Sequence, residues 1–175
     1  MSYNNANKYG RGSGTIPTFI TDTFAGDTDV DPDTDQITVT ATTLTHGMPV
    51  RLSGGTAPVG LVAGNLYYVI LVDANTIQLA KHRGGPAIDI TADGSGSITI
   101  TEAEVIEFPR SAKTVSFMVD GTAVLVKYCF DTGQETQLWA DWSAGAVSTL
   151  TDATFQGGFQ IFAIEGVGTY AYNWD

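Results

Sequence analysis

Apolar and polar residues alternate along much of this chain with a period of two, the spacing that puts every second side chain on one face of a β-strand. The segment QITVTAT, residues 36–42, sets Ile37, Val39 and Ala41 against polar neighbours and predicts a half-buried strand. MPVRL, residues 48–52, predicts a second, shorter one. In NLYYVILVDANTIQLA the pattern predicts a hairpin: Leu66 to Val72 run up, Asp73-Ala74-Asn75 turn, and Thr76 to Ala80 return. AIDIT (87–91) and SITIT (97–101) read as strands on either side of the turn segment ADGSG. Strands packed this closely between Gln36 and Ile100 leave no space for a helix of ordinary length.

The texture changes near EVIEFPR, where Pro109 breaks the run and Arg110 to Lys113 read as a linker. TVSFMVDGTAVLVKYCFD then reads as two strands joined at Asp120-Gly121, a dipeptide that favours a two-residue hairpin turn. Both alternations of Thr122–Phe130 are largely apolar, as in a strand covered on both faces by a sandwich partner or a subunit interface. QETQLWADW fits one helical turn or a loop carrying Trp139 and Trp142. GGFQIFAIEG and GTYAYNWD predict two further strands linked through Gly166-Val167-Gly168. The first residues, MSYNNANKYGRGSGTIPTFI, are rich in Asn, Gly and Ser, with Lys8 and Arg11 as their only charges. They read as a free terminus or as an arm that docks on a neighbouring subunit through Tyr3, Tyr9, Ile16, Phe19 and Ile20. The expectation is an all-β chain: an extended N-terminal arm (1–25), then two small antiparallel β modules, barrel- or sandwich-like, at 26–108 and 109–175.

Composition narrows the partners. Eight Lys plus Arg against nineteen Asp plus Glu give a net charge of −11, which repels a phosphate backbone and argues against nucleic acid. A single cysteine, Cys129, allows no internal disulfide and no thiolate zinc cluster. The polar N-terminus and the lack of a long apolar run imply no membrane span and synthesis in a cytoplasm.

The stretch ITVTATTLTHGMPVRLSGG…GLVAGNLYYVILVDANTIQLA…AIDITADGSGSITI resembles a module recurrent in tailed-bacteriophage virion proteins. Its elements here are Ile37–Ala41, His46-Gly47, Pro49–Leu52, Gly60-Leu61 with Ala63-Gly64, Tyr67–Ala80 and Ile88–Gly96. The basic Lys81-His82-Arg83 and the short run before IDIT depart from the usual pattern, and residues 109–175 lie outside the resemblance. Such modules belong to head-surface, tail-tip and fibre proteins, and the resemblance carries no catalytic motif. It implies a non-enzymatic structural protein on the surface of a phage particle. The short length, acidic exterior and adhesive arm favour a capsid decoration (cement) protein bound to the outside of the head. The major capsid protein or other virion proteins would be its partners, and a trimer or dimer its state. A tail fibre, tail-tip or adhesin component that binds host glycan is the alternative.

Little else suggests chemistry. His46 and His82 have no second ligand at zinc spacing and read as a turn residue and a member of a solvated basic patch. Cys129 sits mid-strand, where a small buried thiol is the default. Glu135 and Asp141 lie near Trp139 and Trp142, a composition found around sugars, but a polysaccharide depolymerase calls for a longer repetitive scaffold. Tyr170, Tyr172 and Trp174 fall on one alternation, as an interface stripe or a platform for glycan rings.

The most conspicuous pattern is GDTDVDPDTD, with aspartate at every second position from Asp27 to Asp35. As an EF-hand loop it fails, because the sixth position is Pro32 rather than glycine and the twelfth is Thr38 rather than glutamate. A calcium site of another kind, using Asp27, Asp29, Asp31 and Asp33, stays open as the only cofactor candidate. Otherwise the alternation predicts an early-starting strand with all five carboxylates on one solvated face.

Overall fold

The computed structural model describes the backbone of residues 10–15, 18–108, 115–130, 139–143, 147–150 and 160–174, and the side chains of residues 18–103. The described residues are all-β, antiparallel throughout, and include no helix. Two compact units emerge: Phe19–Ala103, and Glu104–Asp175 joined by Met1–Thr18.

In the first unit seven strands form one sheet. They are β2 (Thr21–Ala25), β3 (Val30–Asp31), β4 (Gln36–Thr38), β5 (Pro49–Ser53), β6 (Leu66–Asp73), β7 (Thr76–Ala80) and β8 (Ser97–Glu102), in the order β2-β8-β5-β6-β7-β4-β3. Thr21–Ala25, read from sequence as part of the arm, is thus an edge strand of this unit. The segment after β4 reaches back to that edge, where the Asp22 carboxylate accepts from the Thr42 hydroxyl (2.8 Å) and the Thr43 amide (3.4 Å). These side-chain bonds tie the segment after β4 to the β2 edge.

The alternation that marked these strands builds the core. Ile37, Val50, Leu52, Val69, Ile77, Leu79, Ile98 and Ile100 all turn inward, with Phe24, Val39, Leu44, Leu61, Tyr67 and Ile90 completing one cluster. Four consecutive residues of β6, Leu66 to Val69, are buried, so this strand is covered on both faces. Its second face packs beside Arg51, which is only 5% exposed although alternation placed it outside.

Three expectations change. QITVTAT ends as a strand at Thr38, because Ala41 takes a left-handed φ of 52° and the chain turns there around the β6–β7 hairpin. AIDIT makes no strand and no hairpin with SITIT. Ala87 makes a single bridge to Ala80 at the end of β7 instead, and the residues that follow run beside residues 56–59 through single bridges Val59↔Ala92 and Thr56↔Ser95. Glycine makes that approach possible: a Cβ on Gly60 would overlap the Asp89 carbonyl, and one on Gly94 the Thr56 carbonyl. The acidic stretch is no extended strand either, since only Val30–Asp31 pairs, with Ile37 and Gln36.

The second unit is a six-stranded sheet built on two long strands, β10 (Val115–Phe130) and β13 (Gln160–Trp174). Along β13 lie β1 (Gly10–Thr15) and β9 (Glu104–Phe108), and along β10 lie β11 (Trp139–Ser143) and β12 (Val147–Leu150). Asp120-Gly121 is therefore no hairpin turn: β10 passes straight through it, with Asp120 opposite Thr169 and Gly121 opposite Gly168. Gly166-Val167-Gly168 likewise lies inside one strand rather than between two. The long ladder between β10 and β13 overrides the local turn signal, and the register shift between Thr122 and Leu125 marks the β-bulge these glycines adjoin. Trp139 and Trp142 sit on a strand, not on a helical turn or loop.

Truncating the fully buried Ile77 to alanine should cost the first unit about 2–5 kcal/mol, whereas Val72→Ala on the exposed hairpin should stay within about 0.5 kcal/mol. Urea denaturation followed by tryptophan-independent far-UV CD measures both.

Candidate functional site

The acidic stretch folds as two turns around the short strand β3, and its carboxylates serve the backbone. Asp29 Oδ2 accepts the Ala25 amide at 2.7 Å. Asp31 accepts the Asp33 amide (3.0 Å) and the Thr34 hydroxyl (2.8 Å), an Asx-type turn across Pro32. Asp35 holds a left-handed φ of 58°, tolerable for aspartate, and its Oδ1 reaches the Ile90 amide at 2.7 Å. That bond ties the end of the acidic stretch to a strandless part of the core. Asp27 and Asp33 are exposed. Among the described residues no three Asp, Glu, His or Cys side chains converge as a metal-binding group.

The basic residues are placed at the same end of the sheet. The turn Pro32–Asp35 leads into β4, and Lys81–Gly84 follows β7, its antiparallel neighbour. Gln78 Nε2 bridges the two by donating to the Thr34 carbonyl at 2.8 Å. Lys81, His82 and Arg83 are exposed, as the sequence implied. Arg83 also lies over the buried Tyr68 ring, 5.6 Å from its centroid, so its guanidinium helps to roof the second face of β6. His46 occupies the turn before Gly47 and accepts the Leu71 amide on Nδ1 at 3.3 Å.

Other polar groups that sequence reasoning passed over are also built into the scaffold. Arg51 directs Nε (2.9 Å) and Nη2 (2.6 Å) to the Gly64 carbonyl, so its charge is buried against backbone. The Tyr67 hydroxyl accepts from the Val62 amide (2.7 Å) and donates to the Val62 carbonyl (3.2 Å). Burial pushes the Tyr67 phenol up from its ordinary value of 10.0, against the opposing pull of its bonds to Val62 and Asn65. Glu102 accepts the Ile20 amide at 3.0 Å. The one available signal was indirect: a charged or hydroxylated residue inside a mostly apolar strand.

Of the arm residues, Phe19 and Ile20 belong to the first unit, where both are half-buried and Ile20 packs against the core. Tyr3, Tyr9 and Ile16 lie outside the described residues. The five aromatic candidates of the second unit separate by register. Tyr170, Tyr172 and Trp174 share one alternation of β13, and Trp142 joins them, since it stands opposite Val126, which stands opposite Ile164. Trp139 pairs with Cys129, opposite Ile161, and so falls on the other face. Among the described residues no helix is long and apolar enough to cross a membrane. No model of a known protein family matches the chain, and no curated protein matches it.

Two outcomes follow for the polar groups. Asp35→Ala should cost about 1–3 kcal/mol by orphaning the Ile90 amide, while Asp27→Ala or Asp33→Ala should change stability by about 0.5 kcal/mol or less in equilibrium denaturation. Tyr67 keeps its proton in the fold after the unfolded chain has begun to lose it. Its contribution is complete below pH 10.0 and fades as pH rises through the raised folded value. Tyr67→Phe should therefore flatten the loss of stability measured by denaturation above about pH 10 relative to the parent chain.

Proposed function

We propose that this chain is a non-enzymatic building block of a tailed-bacteriophage particle, a decoration (cement) protein on the outside of the head. One observation supports this reading above others: the residues that carry the resemblance to phage modules are spent on construction. Gly47, Gly60 and Gly64 adopt left-handed φ values of 80°, 111° and 85°. Arg51 clamps Gly64, His46 caps the β6 edge at Leu71, and Ile37, Val50, Leu52, Ile77 and Leu79 fill the core. The signature thus specifies a rigid module, with its polar side chains engaged in turns and ladders rather than gathered around a reacting centre.

A protein of this kind works by contact. The acidic surface keeps a densely arrayed protein soluble, and cohesion comes from sheet edges and apolar faces shared among copies, as a trimer or dimer, and with the major capsid protein. The arm supplies attachment. A tail-tip or adhesin role is the second reading, favoured by the placement of Trp142, Tyr170, Tyr172 and Trp174 on one sheet face, an arrangement suited to stacking on sugar rings.

Copy number separates the two: hundreds of copies in purified particles support the head, a handful the tail. Deleting residues 1–15 leaves Phe19 and Ile20 in place within the first unit and should reduce incorporation into particles at least tenfold by quantitative immunoblot. Undiminished incorporation would refute attachment through the arm. Loss of glycan-array binding in Trp142→Ala would favour the adhesin.

A further inference from the structure

The strand β1 reaches its unit from across the chain. Every other described strand of that unit follows Glu104, whereas β1 precedes the whole of Phe19–Ala103. It pairs antiparallel with the C-terminal half of β13, from Gly10↔Trp174 to Thr15↔Thr169, and β10 occupies the other side of the same residues. Along this half β1 is the outer strand, and without it the β13 ladder would present a row of unpaired amides and carbonyls.

The register of that pairing is unusual. Gly10, Gly12 and Gly14 stand opposite Trp174, Tyr172 and Tyr170, glycine against aromatic three times in succession. Glycine brings no side chain to this alternation and weakens a strand through its conformational freedom, so the backbone ladder is what these three positions offer β13. The same lack of a Cβ suits a strand that must lie beside bulky neighbours. Only residues 16–18 connect Thr15 to Phe19, where the first unit begins. An edge strand on a short connection is an arrangement open to exchange of that element with a second copy.

We propose that β1 is exchanged between copies: Gly10–Thr15 of one chain pairs with Thr169–Trp174 of the next, in the register seen within one chain. The occupant of the β13 edge is the β1 of a second copy, because β1 carries the glycine spacing complementary to Tyr170, Tyr172 and Trp174. Passed head to tail, the strand closes a ring of two or three chains in which every β13 edge is covered. This refines the arm attachment of the proposed function and rests on that reading for the crowding of copies, which raises the effective concentration of a neighbour's arm.

Cysteines at the register pair Ser13 and Ala171 test it in full-length chain carrying Cys129→Ser. Directly opposed residues lie about 4.5–5.5 Å apart at Cα, within reach of a disulfide. Mixing Ser13→Cys chains with Ala171→Cys chains under mild oxidation should give a covalent heterodimer that reductant dissolves. The off-register mixture of Ser13→Cys with Thr169→Cys should give at least fivefold less. Absence of the heterodimer, together with a purely intrachain link in the Ser13→Cys/Ala171→Cys double variant, would overturn exchange. The experiment uses purified protein, so its result stands apart from success or failure of incorporation into particles.

Discussion

The described residues include no helix, so their backbone amides and carbonyls must be satisfied between strands or through side chains, and the first unit is organised around that requirement. Its strands are short, and long connections lie between them, so much of the backbone has no ladder to join. Aspartate and threonine take up the remainder. Asp29 receives Ala25, Asp31 receives Asp33, Asp35 receives Ile90, and Asp22 receives Thr43. Tyr67 and His46 do the same for Val62 and Leu71. The core is then held in place by these side-chain bonds as well as by strand pairing.

This gives the acidic stretch a physical meaning different from its appearance. Five alternating carboxylates suggest either an ion site or a solvated strand face. In the fold they divide: Asp29, Asp31 and Asp35 bond to amides, and Asp27 and Asp33 face water. Asp35 is the member that links distant parts of the chain, joining the β3–β4 turn to Ile90 in the core. The negative charge that supports solubility is thus partly a by-product of turn construction.

The second unit solves the same backbone problem with length. Strands β10 and β13 pair through glycines that in isolation signal turns, and shorter strands line both outer sides. The chain is discontinuous here, since the arm strand completes a sheet otherwise made by the C-terminal part. An arm that is structurally part of a sheet can hold a copy to itself or to its neighbour with the same hydrogen bonds, which connects local β-pairing to assembly.

Period-two alternation was enough to determine the all-β class, the β6–β7 hairpin and β5, because burial of one face imposes that spacing on any half-buried strand. It was also enough to place Ile37 and Val39 in the core, though not Ala41, which the fold leaves exposed. Its failures share a cause. Asp120-Gly121 and Gly166-Val167-Gly168 are turn signals only if no longer ladder competes, and AIDIT alternates yet meets β7 only at its end, through the single bridge Ala80↔Ala87. Arg51 drew no notice and Asp35 read only as one of five solvated carboxylates, because their roles depend on carbonyls and amides remote in sequence, Gly64 and Ile90. Local pattern determined which residues favour water and which avoid it; only the tertiary structure decided which backbone group each polar side chain would meet, because those partners are brought together by long-range pairing that no local spacing encodes.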